Sequence, residues 1–199
     1  VVTRMKAQIS SLNQAVRNAN DGISLVSTFD GAADEIEDIL IRMRELATLV
    51  QNGTYTMSDD SNANLEFLAL NKEITRIQEK TKFNGSLDVA STGTQTYSFQ
   101  VGFNGGDAVS IAFGSLNAST LATVDLGSST LDLAGGANKA ANIETASAAV
   151  TKLDVALSNL NVHRATAGAV INRLEHTVSN LMNVVQRTEE ARSRIEDAD

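Results

Sequence analysis

Reactive side chains at useful spacings are the first thing to look for in this 199-residue chain, and few are present. It contains no cysteine, which removes a thiolate nucleophile, a thiolate-ligated metal and any disulfide framework. The two histidines, His163 and His176, stand thirteen residues apart. That is not the i,i+4 spacing that places two imidazoles on one helix face for a metal, and both read as surface or interface histidines. Serine and aspartate are plentiful, yet no G-x-S-x-G elbow, phosphate loop or G-x-G-x-x-G is present. Gly102, Gly105 and Gly106 read as a hairpin turn. Asn104-Gly105-Gly106-Asp107 has the composition of a single calcium-binding turn, but it occurs once, and such sites need stacked repeats. No catalytic residue, cofactor or metal is expected.

The charged pairs have a plainer use. Asp38 and Arg42, like Glu190 and Arg194, stand at i,i+4 with the acid first, which supports a helix by roughly a few tenths of a kcal/mol. Arg164 is different, because it falls on an apolar lattice between Leu160 and Ala167. A guanidinium there needs a carboxylate. Folding the chain back on itself near residue 100 brings Glu35 or Glu37 close, and a snorkelling Arg164 at the edge of the seam is the other reading.

Composition narrows the field further. Apolar residues make up 42% but aromatics only 4%, with no Trp and no Pro, which favours helices over a β-sandwich. The net charge of −8 repels phosphate backbones, so nucleic acid is not an expected partner. No run approaches the roughly 20 apolar residues of a membrane span, and the N-terminus lacks the three-part pattern of a cleaved signal peptide.

The elements that must position these groups follow from periodicity. Met5, Ile9, Leu12, Val16, Ala19, Ile23, Val26, Phe29, Ala33, Ile36, Leu40, Met43, Ala47 and Val50 alternate spacings of four and three, a heptad seam. The two successive threes at Ile23, Val26 and Phe29 form a stammer, flanked by Gly22 and Gly31 as a place to bend. The helix is predicted to end near Asn52-Gly53, with Gly53 left-handed at the C′ position. Ser58 is predicted to cap a second helix over about 59–82, with Phe67, Leu70, Ile74 and Ile77 inward and Asn84-Gly85 ending it. From 84 to 138 the composition changes. Nine of the 13 glycines lie there, and the 55 residues include no Lys or Arg. Tyr97, Phe99, Val101 and Phe103, then Val109, Ile111 and Phe113, alternate with polar or small residues around Asn104-Asp107, which predicts a β-hairpin. Residues 114–138 fit short strands or an ordered loop equally well.

The last segment carries Ile143, Ala146, Val150, Leu153, Leu157, Leu160, Ala167, Ile171, Leu174, Val178, Leu181, Val185 and Ile195 on one heptad lattice, with Arg164, Thr188 and Arg192 between. Neither long helix is stable alone, so each must bury its seam against the other, antiparallel. The expected fold is mainly α with a small β region. It is an elongated antiparallel rod of long N- and C-terminal helices plus a shorter second helix, with a hairpin-containing middle. The parts are 1–83, the N-terminal helices; 84–138, the Gly/Ser/Thr-rich β region; and 139–199, the C-terminal helix. The first seam begins without a cap and the last ends without a stop, so the chain reads as a piece cut from longer helices.

Residues 17–31, Arg17-Asn-Ala-Asn-Asp-Gly-Ile-Ser24 followed by Leu25-Val-Ser-Thr-Phe-Asp-Gly31, resemble bacterial flagellin. So do Glu35-Ile36 with Arg42-Met43-Arg44-Glu45-Leu46-Ala47, Asn52-Gly53-Thr54, Thr81-Lys82-Phe83-Asn84-Gly85, and Ser193-Arg194-Ile195-Glu196-Asp197-Ala198-Asp199. Together these stretches cover roughly 1–85 and 140–199, while the middle matches only in style. The resemblance implies a rod of antiparallel helices beside a small β region. It implies export through the flagellar secretion apparatus with its chaperone, and a destination outside the cell, on the flagellum or the cell surface. It also implies that the terminal helices which polymerise lie outside this stretch, leaving a monomer. Flagellins of many bacteria are detected by host Toll-like receptor 5 through this rod, and the positions matching that surface are Leu40, Arg42, Arg44, Glu45, Leu46 and Glu66. The same residues are alternatively contacts between filament subunits. Ile41, Thr48 and Leu49 depart from the usual Gln, Val and Gln.

The leading functional expectation is a structural subunit of the motility filament, not an enzyme. The alternative is a flagellin-like surface protein acting as an adhesin or a glycan- or host-receptor-binding protein, its contact surface supplied by 84–138. A hydrolase would need catalytic residues grafted into that region, and no constellation there supplies them. Ser and Thr of the middle are O-glycan sites by analogy with the family. Asn52-Gly-Thr, Asn84-Gly-Ser and Asn117-Ala-Ser match the N-linked acceptor pattern, although Asn-Gly also simply ends helices.

Overall fold

A computed structural model describes residues 2–85, 87–88, 95–104, 106–114, 116, 133 and 139–198. Their elements are α1 (Val2–Gln51), α2 (Met57–Lys80), β1 (Lys82–Phe83), β2 (Leu87–Asp88), β3 (Gln95–Gln100), β4 (Ala108–Phe113) and α3 (Lys139–Ala198). Among the described residues the fold is mainly α, with three helices, a short β1–β2 ribbon and the β3–β4 hairpin. Most of 114–138, where strands and loop were equally expected, lies outside the described residues.

The contacts divide the chain into two compact units, and both long helices contribute to each. One unit comprises Val1–Ser27, Thr96–Ala112 and Thr166–Asp199; the other comprises Thr28–Gln95 and Phe113–Ala165. The division crosses α1 between Ser27 and Thr28, inside the predicted stammer, yet α1 continues as helix through Gly22 and Gly31.

In the first unit α1 and α3 run antiparallel. Lys6 bonds Glu196, and Leu12 and Ala15 pack with Leu181, flanked by Val16 and Val185. The hairpin lies on α1. Tyr97 and Phe99 alternate with exposed Ser98 and Gln100, and Val109 and Ile111 are buried between exposed Ala108, Ser110 and Ala112. The Val101 N–H donates to Asp107 O at 2.8 Å and the Asn18 amide donates to Gln100 O at 2.9 Å. Gly22 explains how the layers meet, since a Cβ there would stand 3.2 Å from Leu174 Cδ1 and 3.4 Å from Phe99 Cγ.

The second unit has the thicker core. Phe29, Ile36, Leu40, Met43, Phe67 and Ile74 are fully buried, and Phe29 packs on Phe113 with ring centroids 4.9 Å apart. Because α1 touches more than one neighbour, its buried stripe is wider than the predicted seam: Leu25, Ala32 and Leu46 are also buried. On α3, Ala146, Leu153, Leu160, Ala167, Leu174 and Leu181 are buried at seven-residue intervals, and Ala149 and Ala156 are fully buried where Val150 and Leu157 were expected, those two being half-buried. Ile195, expected on the same lattice, is 41% exposed. On α2, Leu70 and Ile77 flank the stripe half-buried, while Asp60, Ala63, Asn64 and Gln78 join Phe67 and Ile74 inside it.

Three termini correct the expectations. The N-cap of α2 is Thr56, not Ser58. Its hydroxyl accepts from the Asp59 N–H at 3.3 Å, and Asp59 accepts from the Thr56 N–H at 2.9 Å, closing a capping box. Helix α2 ends at Lys80 with Thr81 as C-cap, so Asn84 (φ 52°) and Gly85 (φ 73°) turn the short β1–β2 ribbon instead of stopping the helix. Gly53 is not left-handed, as Gly85 alone among the described glycines has positive φ. Asn52 ends α1 by a side-chain turn, its Oδ1 accepting from Thr54 N at 3.3 Å and from the Thr54 hydroxyl at 3.0 Å.

Candidate functional site

The six positions on α1 and α2 that the resemblance implies, Leu40, Arg42, Arg44, Glu45, Leu46 and Glu66, all belong to the second unit. Met43 and Leu40 are turned inward, which leaves Arg42 facing out over α2. Its Nε donates to Glu66 Oε1 at 2.7 Å, one terminal nitrogen to Glu66 Oε2 at 3.2 Å, and the other to Glu45 Oε2 at 2.9 Å. The Glu66 contact is bidentate, the geometry that suits a planar guanidinium. The hydrogen bond from Arg42 holds the Glu66 carboxyl below the usual carboxylate range, and the bonds it donates to Glu66 and Glu45 raise Arg42 in turn. All three side chains remain solvent-exposed, at 49%, 61% and 44% for Arg42, Glu45 and Glu66, so they form a charged patch that a partner can touch.

Arg44 is two residues on, about 200° around the helix, and reaches the opposite neighbour. Its Nε donates to Asp154 Oδ1 on α3 at 2.6 Å. Leu40 and Leu46 are 0% and 4% exposed and pack in the core. The structure therefore brings Arg42, Glu45 and Glu66 together, sets Arg44 on another face, and places the two leucines where they hold α1 against its neighbours. Asp38 is exposed, and the Arg42 bonds go to Glu45 and Glu66 instead. Arg194 donates to the Glu190 main-chain carbonyl at 3.4 Å, while the Glu190 carboxylate accepts from Gln186.

Arg164 sits at the seam edge with three carboxylates of α1. Its Nε donates to Asp30 at 3.1 Å, a terminal nitrogen lies 2.9 Å from Asp34, and the same nitrogen bonds Glu37. Glu37 was one of the two expected partners; Glu35 is exposed. The Glu37 and Asp30 bonds raise the Arg164 value. Next to it, His163 is half-buried, and a Cβ on Gly114 would overlap its ring. Burial lowers the imidazole below its ordinary value. His176 is exposed.

Sequence reasoning missed a buried polar cluster at the other end of this unit. The Asp60 carboxylate is fully buried and accepts from Lys139 Nζ at 2.5 Å and from Asn142 Nδ2 at 3.0 Å. Nearby, Asn64 Oδ1 accepts from Leu133 N at 3.0 Å. The signal available was Lys139, the first cation after the 55-residue stretch, at the entry to a helix.

An open groove of about 830 Å³ lies in the first unit, with Val16, Ile23, Val178, Met182 and Val185 among its lining residues. Val162 on α3 and Leu65 on α2 are exposed large apolar side chains of the second unit. Among the described residues no group of three potential metal ligands occurs, and no helix is long and apolar enough to cross a membrane. Long apolar seams, interhelical ion pairs and exposed apolar side chains define a helical structural protein that works through its surfaces.

Sequence relationships give that class a family. A profile of the bacterial flagellin N-terminal helical region matches residues 1–89, and one of the C-terminal helical region matches 150–199. The flagellin of Halalkalibacterium halodurans is 39% identical over 196 residues, covering 98% of this chain and 68% of that protein. The flagellin of Listeria monocytogenes is 33% identical, covering 100% and 70%. The crystal structure of Bacillus cereus flagellin aligns with a TM-score of 0.65 at 33% identity, over 83% of this chain and 88% of that one. The chain belongs to the bacterial flagellin family.

Proposed function

We infer that this flagellin is a structural subunit of the bacterial flagellar filament and that Arg42, Glu45 and Glu66 form part of its contact surface with neighbouring subunits. The match of both helical regions carries the first statement. Relatives include a flagellar filament 33 kDa core protein from Treponema phagedenis, 32% identical over 71% of its length. The family is structural, not enzymatic, and in this reading the chain is exported by the flagellar apparatus and works outside the cell. Immunogold labelling with antibodies raised against the chain is expected to decorate filaments; gold confined to the cell body would overturn the assignment.

For the contact surface, the supporting observation is the convergence of three exposed charges from two helices onto one patch. Arg44, paired with Asp154, lies on the other side of α1, away from this patch. The same patch is what a host receptor of the Toll-like receptor 5 kind would meet. Arg42→Ala in a flagellin carrying this chain is expected to shorten filaments without lowering the amount of subunit exported. Arg76→Ala, which breaks only the Arg76–Glu73 pair within one helix, serves as control and leaves filaments normal. Filaments of ordinary length in Arg42→Ala would reject the assignment of the patch. Receptor binding by the purified variant tests the second partner.

A further inference from the structure

Two Asn-Gly steps lie wholly within the described residues, Asn52-Gly53 and Asn84-Gly85. In such a step the main-chain nitrogen approaches the preceding side-chain amide with least obstruction, because glycine has no Cβ. The two steps are held very differently. Asn52 ends α1, its N–H donating to Leu49 O at 3.0 Å and its carbonyl accepting from Tyr55 N at 3.3 Å. Its side-chain oxygen is tied to Thr54 by two further bonds. Asn84 is exposed at the turn of the β1–β2 ribbon, whose pairing consists of Lys82↔Asp88 and Phe83↔Leu87. It is the non-glycine residue with positive φ among those described. A ribbon of two residue pairs is marginal by itself and opens locally at little cost. Opening also releases a left-handed Asn from a sparsely populated conformation.

We propose that Asn84 is a spontaneous modification site, converted by its own chain to aspartate and isoaspartate. The Gly85 nitrogen loses its proton to solvent base and attacks Asn84 Cγ. The carbon–nitrogen bond of the side-chain amide breaks, and ammonia leaves carrying that proton, so a five-membered cyclic imide forms. Water then opens the ring at either imide carbonyl, giving aspartate by one route and isoaspartate by the other. One water is consumed and one ammonia released, with no change in oxidation state. The isoaspartate route inserts a methylene into the main chain within the turn, and both routes add a negative charge beside the two paired strands. The pairing of Phe83 with Leu87 cannot keep its register across the lengthened turn.

The test is incubation of the intact chain in mildly alkaline buffer, followed by chymotryptic peptide mass spectrometry with fragmentation that distinguishes aspartate from isoaspartate. Chymotrypsin is needed because 84–138 has no Lys or Arg. Conversion at Asn84 is expected to run about tenfold faster than at Asn52, the factor that about 1.4 kcal/mol of easier opening gives. In denaturant the two rates should converge, since both are then free Asn-Gly steps. Equal rates in the folded chain, or a faster Asn52, would overturn the proposal. So would a tenfold difference that persists in denaturant, because the fold would then not be its cause.

Discussion

At the scale of single residues, Thr56 shows how one hydroxyl sets a helix start. It accepts from the Asp59 N–H and donates to the Asp59 carboxylate at 2.7 Å. These bonds, the hydroxyl's first and the Thr56 N–H second, hold the Asp59 carboxyl below its ordinary value of 3.8. The value is lowered in the folded state, so the unfolded chain binds the proton more readily. The carboxylate's contribution is therefore full above the ordinary value and is lost as pH falls through the depressed one. Loss of the cap in Thr56→Ala is expected to cost about 1 kcal/mol at neutral pH. Thermal melts across pH should show the gap between Thr56→Ala and the parent closing under acid conditions; a gap independent of pH would mean the box contributes nothing through its charge. The position of this cap was within reach of the sequence, because Thr56 and Asp59 have the S/T-x-x-acid spacing. Ser58 beside two aspartates offered a rival start only two residues away. The family resemblance put Arg42 and Glu66 on one surface, but their ion pair was not readable from periodicity, since the partners lie on different helices, 24 residues apart. The pattern of apolar positions says which face is buried but not which neighbour an exposed arginine meets.

At the scale of elements, the glycines of the long helices separate packing from propensity. Nothing lies within 4 Å of a Cβ placed on Gly31 or Gly168, whereas Gly22 faces Leu174 and Phe99. Gly31→Ala and Gly168→Ala are each expected to stabilise by up to about 1 kcal/mol, the helix-propensity difference. Gly22→Ala should gain less or destabilise, because the leucine and the hairpin must shift to admit the methyl. Denaturant midpoints of the three variants check this, and an equal gain in all three would mean the hairpin is not held against α1 at Gly22. Both long helices and the β3–β4 hairpin were legible because heptad and two-residue periods persist over many residues. The Asn-Gly steps were harder to read, since the same dipeptide ends a helix at Asn52 and turns a ribbon at Asn84. Buried Asp60 and Asn142 broke the pattern altogether: a polar residue on an inward position looks like a surface one until its partner, here Lys139, is known.

At the scale of the whole molecule, two cores of different thickness share the same helices. Phe29 is 1% exposed among several large side chains and packs at a tilt on Phe113, while Leu181 is 7% exposed in a small cluster with Leu12 and Ala15. Phe29→Ala is expected to cost about 3–5 kcal/mol and Leu181→Ala about 2 kcal/mol, near the low end for such truncations. Equal losses in denaturant unfolding would contradict the difference in thickness. The ion pairs also span very different stretches of chain. Arg42 meets Glu66 across 24 residues, Arg164 meets Glu37 across 127, and Lys6 meets Glu196 across 190. Closing a larger loop costs more chain entropy before any contact rewards it, and folding rates fall as contacting residues lie farther apart in sequence. This chain therefore combines a high helix content with contacts that close very long loops. Refolding should begin at the α1–α2 corner, where Arg42 meets Glu66, and bring Lys6 to Glu196 late.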